Sequence, residues 1–169
     1  MQLPDLVLLD HEGQPFQLRD RLLGRPGVLV FLRHFGCVFC REQVARLNED
    51  PALPVTYITL GSSSEAARHE SSLHSPHQFL ADPDRQVYRY FGLERASIKQ
   101  LFGPDVVKRG FEAVRNGTRG GFVPTADPIQ LGGAFVYNQA GEVVWARKSR
   151  DAADNVSVDQ LRQALREAA

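Results

Sequence analysis

The chain has 169 residues, enough for one domain with a full-sized core. It is 43% hydrophobic and 24% charged with a formal net charge of zero, which argues against nucleic acid or an anionic membrane as an electrostatic partner. No stretch approaches the ~18 consecutive apolar residues of a membrane span, and the opening MQLPDLVLLDHEG lacks the basic start and apolar run of a secretory leader. The expectation is a soluble cytoplasmic protein.

Taken in chain order, LVLLDHEGQPFQL reads as two short extended pieces around a Glu12-Gly13 turn. LRDRLLGRPG is one or two helical turns ended by Gly24 and Pro26. VLVFL, from Val28, is a continuous apolar and β-branched run, as expected of a strand buried on both faces. Cys37 to Asn48 reads as a helix, with Val44, Ala45 and Leu47 among charges and Pro51 and Pro54 beyond its end. VTYITLG is a second buried strand. Ser62 with Glu65 three residues on is a capping signature for a short helix. QFLADPD is a strand and turn, and RQVYRYFGL a helix closed by Gly92. AFVYNQAGEVVWARK is a hairpin bending at Ala140-Gly141. SVDQLRQALREAA is an amphipathic final helix, with Ser157 and Gln160 as its capping box and Val158, Leu161 and Leu165 as its buried stripe.

Strands alternating with helices, followed by a hairpin and a helix, predict an α/β, thioredoxin-like fold. Its central mixed sheet is parallel in its early strands, antiparallel at the terminal hairpin and flanked by helices. Residues 94–131 are too long for a connector and read as a helical insertion with a Gly- and Pro-rich loop. The expected layout is a single domain over 1–169 carrying that insertion. Lys99, Lys108, Arg109, Arg115 and Arg119 make this region locally basic, which reads as a solvated helix face.

The chain's two cysteines, Cys37 and Cys40, both lie where the first buried strand meets the following helix. A helix N-terminus exposes unpaired N–H groups and partial positive charge, so a thiolate there is stabilised. Arg33 and Arg41 are near in sequence; they either add to the effect or are simply solvated. Cys40 lies one turn on, on the same face, at a Cα separation of about 5.5 Å that suits a disulfide. Cys37 is the better nucleophile by position and Cys40 the better resolving thiol. The alternatives are two inert packed thiols or a zinc site. His69, His74 and His77 lie too far along the chain for finger spacing and read as surface histidines. His34 is a base near the thiol or, the favoured reading, a strand-end surface residue. Thr125 and Gln130 precede the strand of the hairpin and face the helix start in such a fold, where they can contact a polar substrate or stabilise the loop.

The stretch FLRHFGCVFCREQ resembles the AhpC/TSA-type peroxiredoxin-like family, and within it the peroxiredoxin-like 2 group that includes the prostamide/prostaglandin F synthase type. SIKQLFGPDVVKRGFEAV and DPIQLGGAFVYNQAGEVVWARKSRDAAD resemble the same group, so the resemblance spans residues 5–168. It implies a thioredoxin-like fold and a thiol-dependent reductase or peroxidase. Cys37 is then the reactive cysteine, Cys40 is its partner, and neither cofactor nor metal is needed. The sequence departs from typical peroxiredoxins in lacking their Pro-x-x-x-Thr-x-x-Cys loop. If Cys40 is aligned with the peroxidatic cysteine, Cys37 takes the place of that Thr. Leu131-Gly132-Gly133 stands where such proteins carry an Arg. The expected partners are a small peroxide and a thioredoxin or glutathione-type reductant; a homodimer stays open. The other functions in view are a thiol-disulfide oxidoreductase and a redox-responsive binding protein without turnover.

Overall fold

The structure is a computed structural model that describes residues 1–34, 37–93, 95, 104–115, 117 and 129–169. Seven strands form one sheet: β1 (Val7–Leu9), β2 (Pro15–Gln17), β3 (Gly27–Phe31), β4 (Val55–Thr59), β5 (Gln78–Ala81), β6 (Gly133–Tyr137) and β7 (Val143–Lys148). The helices are α1 (Leu18–Leu22), α2 (Val38–Asn48), α3 (Ser63–Ser72), α4 (Gln86–Tyr90), α5 (Pro104–Arg115) and α6 (Val158–Ala168).

The strand order is β2-β1-β5-β4-β3-β6-β7. β3 pairs parallel with β4, and β4 with β5, as the alternation of strands and helices requires. β6 lies antiparallel to β3 and turns into β7, which gives the expected antiparallel edge. The opposite edge is antiparallel too, because β1 and β2 form a hairpin docked on β5. The two N-terminal extended pieces thus belong to the main sheet.

The continuous apolar runs are explained by burial on both faces. Along β3, Val28 and Val30 enter one core with Val44, Leu47, Tyr57 and Leu161. Leu29 and Phe31 enter the other with Ile58, Leu80, Tyr88 and Phe135. α2 and α6 cover the first face and α4 the second. Both capping boxes form, at Ser62–Glu65 and Ser157–Gln160. The stripe of α6 is shifted from the expectation. Leu161, Ala164 and Ala168 are buried, while Val158 and Leu165 are only half-buried against the core.

The histidine cluster also departs from a surface reading. His77 is 5% exposed, its Nε2 lies 3.3 Å from the Leu47 carbonyl, and its ring meets Tyr57 edge-on. His69 is half-buried, and only His74 is exposed. Of the expected insertion, α5 is described, and it packs against α2. No helix among the described residues is long and apolar enough to cross a membrane.

Candidate active site

β3 delivers the chain to the site. Beyond Phe31, the Leu32 amide still bonds to the Ile58 carbonyl at 2.9 Å, so the strand geometry persists past its last residue. Tyr88 fixes this end from below. Its hydroxyl is shared between the carbonyls of Leu32 and Ile58, 2.9 Å from the latter. Gly132 closes the other side. A Cβ there would run into the Phe31 carbonyl, so only glycine lets the chain entering β6 lie this close to the end of β3.

Cys37 is the N-cap of α2 and Cys40 stands three residues on, in its first turn. Both are buried, at 5% and 7% exposure, and no disulfide joins them. Arg33 connects them. Its backbone N–H donates to the Cys40 sulfur at 3.4 Å, and its Nη1 donates to the Cys37 sulfur at 3.4 Å. The guanidinium is 8% exposed, and its Nε donates to the Gln130 carbonyl at 3.0 Å.

Gln130, 2% exposed, is the rear support of this arrangement. Its side-chain amide donates to the carbonyls of Leu93 and Leu131, each at 3.1 Å. Those bonds hold the chain that presents the Gln130 carbonyl to Arg33. Gln130 is thereby placed beside Arg33, whose amide and guanidinium reach the two sulfurs. Thr125 lies outside the described residues.

The two thiols have opposite electrostatics. A hydrogen bond from the Cys40 thiol is the largest influence on Cys37; burial opposes it, the Arg33 charge and nearby backbone N–H groups reinforce it, and the pKa comes down to about 6. Cys40 is held well above its ordinary value, first because it donates to Cys37, then through burial and repulsion from the Cys37 thiolate. At neutral pH the pair carries one negative charge, on Cys37, and one shared proton, on Cys40.

Arg41 is placed differently from Arg33. It borders a cavity of about 10 Å³ on the far side of Cys40, together with His34, Val44, His69 and Phe79. That volume holds about one water-sized group. The Arg41 charge bears on His69, whose pKa falls to about 4, chiefly from burial and then from Arg41 and Arg68. Two residues read as surface, His34 and His69, thus line the space beside Cys40. Position along the chain carries no signal for this, because α3 brings His69 to α2 only through the packing of both helices on the sheet. Among the described residues no group of three or more His, Cys, Asp or Glu is placed to hold a metal.

Known proteins agree with this architecture. The chain is 24% identical to peroxiredoxin-like 2C of Bos taurus, over 94% of this chain and 76% of that protein. It is 25% identical to the prostamide/prostaglandin F synthase of Salmo salar, over 94% of this chain and 84% of the relative. Among solved structures it is similar to the peroxidoxin BcpB of Mycobacterium tuberculosis, with a TM-score of 0.68 at 17% identity, covering 100% of this chain and 96% of that one. The last likeness speaks for the fold. A family model described as AhpC/TSA antioxidant enzyme matches residues 41–151, beginning one residue past Cys40. The matched span thus leaves out both cysteines. With well over half of its length matched, and with a thiol-dependent redox function supported by that membership, the chain belongs to the AhpC/TSA antioxidant enzyme family.

Proposed function

We propose that this protein is a two-cysteine reductase of a hydroperoxide or endoperoxide, built on a single domain in which residues 94–131 are an insertion beside the site. The observation that carries the reading is the asymmetry of the pair: Cys37 held as a thiolate with a pKa of about 6, Cys40 kept as a thiol beside it. A nucleophile needs the thiolate form, and a resolving thiol needs to hold its proton until the first step is over.

In the first step the Cys37 thiolate attacks one oxygen of the O–O bond. A sulfur–oxygen bond forms, the O–O bond breaks, and the leaving alkoxide takes up a proton. Cys37 is now a sulfenic acid. Cys40 then attacks the Cys37 sulfur, the S–S bond forms and water leaves. The dithiol has lost two electrons, and the peroxide has become an alcohol and water. With an endoperoxide the same attack leaves Cys37 as a sulfenate ester and frees one alkoxide, which is protonated; Cys40 then displaces the second oxygen as an alkoxide, so the disulfide forms and a diol is released in place of alcohol and water. A dithiol or glutathione-type reductant returns the two electrons by thiol–disulfide exchange. Arg33 keeps the Cys37 thiolate charged before attack and stabilises charge on the leaving oxygen during it. Gln130 keeps Arg33 in place. The likeness to the Salmo salar prostamide/prostaglandin F synthase supports an endoperoxide as one member of the substrate class.

A second assignment has its own observation. The cavity that opens on Cys40, bordered by Arg41 and His69, supports Cys40 as the first sulfur attacked. It matches the alignment in which Cys40 takes the peroxidatic place.

The test is intact mass of the reduced protein after one equivalent of hydrogen peroxide. A loss of about 2 Da marks the disulfide. Unchanged mass, together with turnover of a protein disulfide by the same preparation, would move the protein to thiol–disulfide exchange. Unchanged mass with neither activity would leave the redox-responsive binder.

A further inference from the structure

A cleft of about 320 Å³ opens at the end of the sheet opposite the cysteines. It lies where β3, β4 and β5 begin and β6 ends, one strand length, or about 17 Å, from the thiol end of β3. Its volume lies within the range of small-molecule sites.

The lining is positive. Among the described residues Arg21, Arg25 and His77 border the cleft and no carboxylate does, although the chain as a whole carries no net charge. Among the described residues neither Arg21 nor Arg25 is in an ion pair. Both guanidiniums are nonetheless positioned. Arg21 sits over the Phe16 ring, 5.3 Å from its centroid. Arg25 lies close enough to Tyr137 for its charge to act on the phenol. Asp50, which precedes the lining residue Pro51, bears on His77 but is bound at 2.7 Å by Arg162, which offsets its charge.

Two hydroxyls on the cleft wall have no protein partner among the described residues. Tyr137 is 2% exposed and Thr56 6% exposed, yet neither side chain makes a hydrogen bond there. The Tyr137 ring lies across Gly27, in space that any Cβ at that position would fill. The sheet thus gives up a side chain at the start of β3 to seat this ring at the cleft. Neither oxygen is among the fully enclosed unpaired atoms, so each hydroxyl still reaches solvent and is open to a ligand in the cleft.

We propose that this cleft binds a small molecule carrying an oxyanion, a phosphate or a carboxylate, between Arg21 and Arg25, with the Tyr137 and Thr56 hydroxyls donating to it. Two guanidiniums present planar donor forks that match both groups bidentately. The site is separate from the thiols and stands whether or not the peroxide reading does.

The experiment is calorimetric titration of the whole protein with inorganic pyrophosphate and, separately, with citrate. At least one should bind saturably. Arg25→Gln and Arg21→Gln should each weaken it about tenfold or more, as loss of a charged fork implies. Tyr137→Phe, which keeps the ring, should weaken it a few fold. Arg46→Gln, on the exposed face of α2, should leave it unchanged. Pyrophosphate alone points to a phosphate ligand, and citrate alone to a carboxylate. No saturable binding of either, or binding that survives Arg25→Gln, overturns the proposal. Both arginines are exposed, so these variants do not test folding.

Discussion

The two ends of β3 use arginine in opposite ways. At the C-terminal end one buried guanidinium, Arg33, contacts a sulfur and a backbone carbonyl. At the N-terminal end two exposed guanidiniums, Arg21 and Arg25, face a cleft with no acid in its wall among the described residues. The difference follows from solvation. A charge removed from water must be surrounded by specific partners or it costs several kcal/mol, so Arg33 comes with a fixed geometry. A charge left in water keeps its hydration and needs no protein partner, so Arg21 and Arg25 remain available. Substitution at the thiol end should therefore disturb chemistry and stability together, and substitution at the cleft only binding.

The largest effect is expected at the sulfurs themselves. Cys37→Ser should consume essentially no peroxide. Cys40→Ser should consume one equivalent and stop as a sulfenic acid that dimedone tags, then drift to the irreversible sulfinic state. A dimedone tag on Cys40 in the Cys37→Ser protein would reverse the assignment and favour the cavity beside Arg41 and His69.

Next in size is Arg33→Met, which removes the cation and keeps most of the bulk. In the native protein the Cys37 alkylation rate should rise with a midpoint near pH 6. The variant's midpoint should move up only part of the way towards the ordinary value of about 8.5, because the Cys40 hydrogen bond remains, and peroxide reduction at pH 7 should slow by about twofold or more. The stability linkage has a definite sign. The folded pKa is depressed, so the thiolate stabilises the fold fully above the unfolded pKa of about 8.5, and that contribution is lost as pH falls through about 6. Arg33→Met should flatten this dependence in denaturant titrations. It should also cost about 1–3 kcal/mol at all pH values, because the Gln130 carbonyl loses its donor. An unmoved midpoint would leave the Cys40 hydrogen bond as the whole cause of the shift.

Gln130→Leu should act in the same direction and less strongly. Its side chain touches neither sulfur; it anchors the carbonyl that holds Arg33. The alkylation midpoint should rise by less than in Arg33→Met. Gln130→Glu, which keeps the length but loses the amide donor, should resemble Gln130→Leu. A stability loss with no change in midpoint would make Gln130 purely structural.

The smallest effect completes the comparison. Arg25→Gln should leave peroxide consumption and the Cys37 midpoint at their native values, since the residue lies at the far end of the strand. A shifted midpoint would mean that the two ends of β3 are coupled.

Much of this architecture is legible in the residues because it depends on neighbours in sequence. The apolar run from Val28 forms a strand buried on both faces, since only such a strand can place every side chain away from water. Ser62–Glu65 and Ser157–Gln160 start helices through contacts three residues apart. The position of Cys37 at the N-terminus of α2 and of Cys40 one turn on follows from the strand–helix junction and helical spacing. Distant contacts decided the rest. Of the two arginines flanking the cysteines, Arg33 turns inward onto both sulfurs while Arg41 borders the cavity beside His69; local spacing ranks them equally. Gln130 reaches Arg33 across 97 residues of chain, because β6 lies beside β3 in the sheet. The β1–β2 hairpin docks on β5 by strand order, and His77 is buried because β5 begins beneath α2. Periodicity and capping act over one or two turns, so the chain by itself determined the elements and the spacing of the thiols. The order of strands in the sheet, formed by burial between residues far apart, decided which charge meets which sulfur.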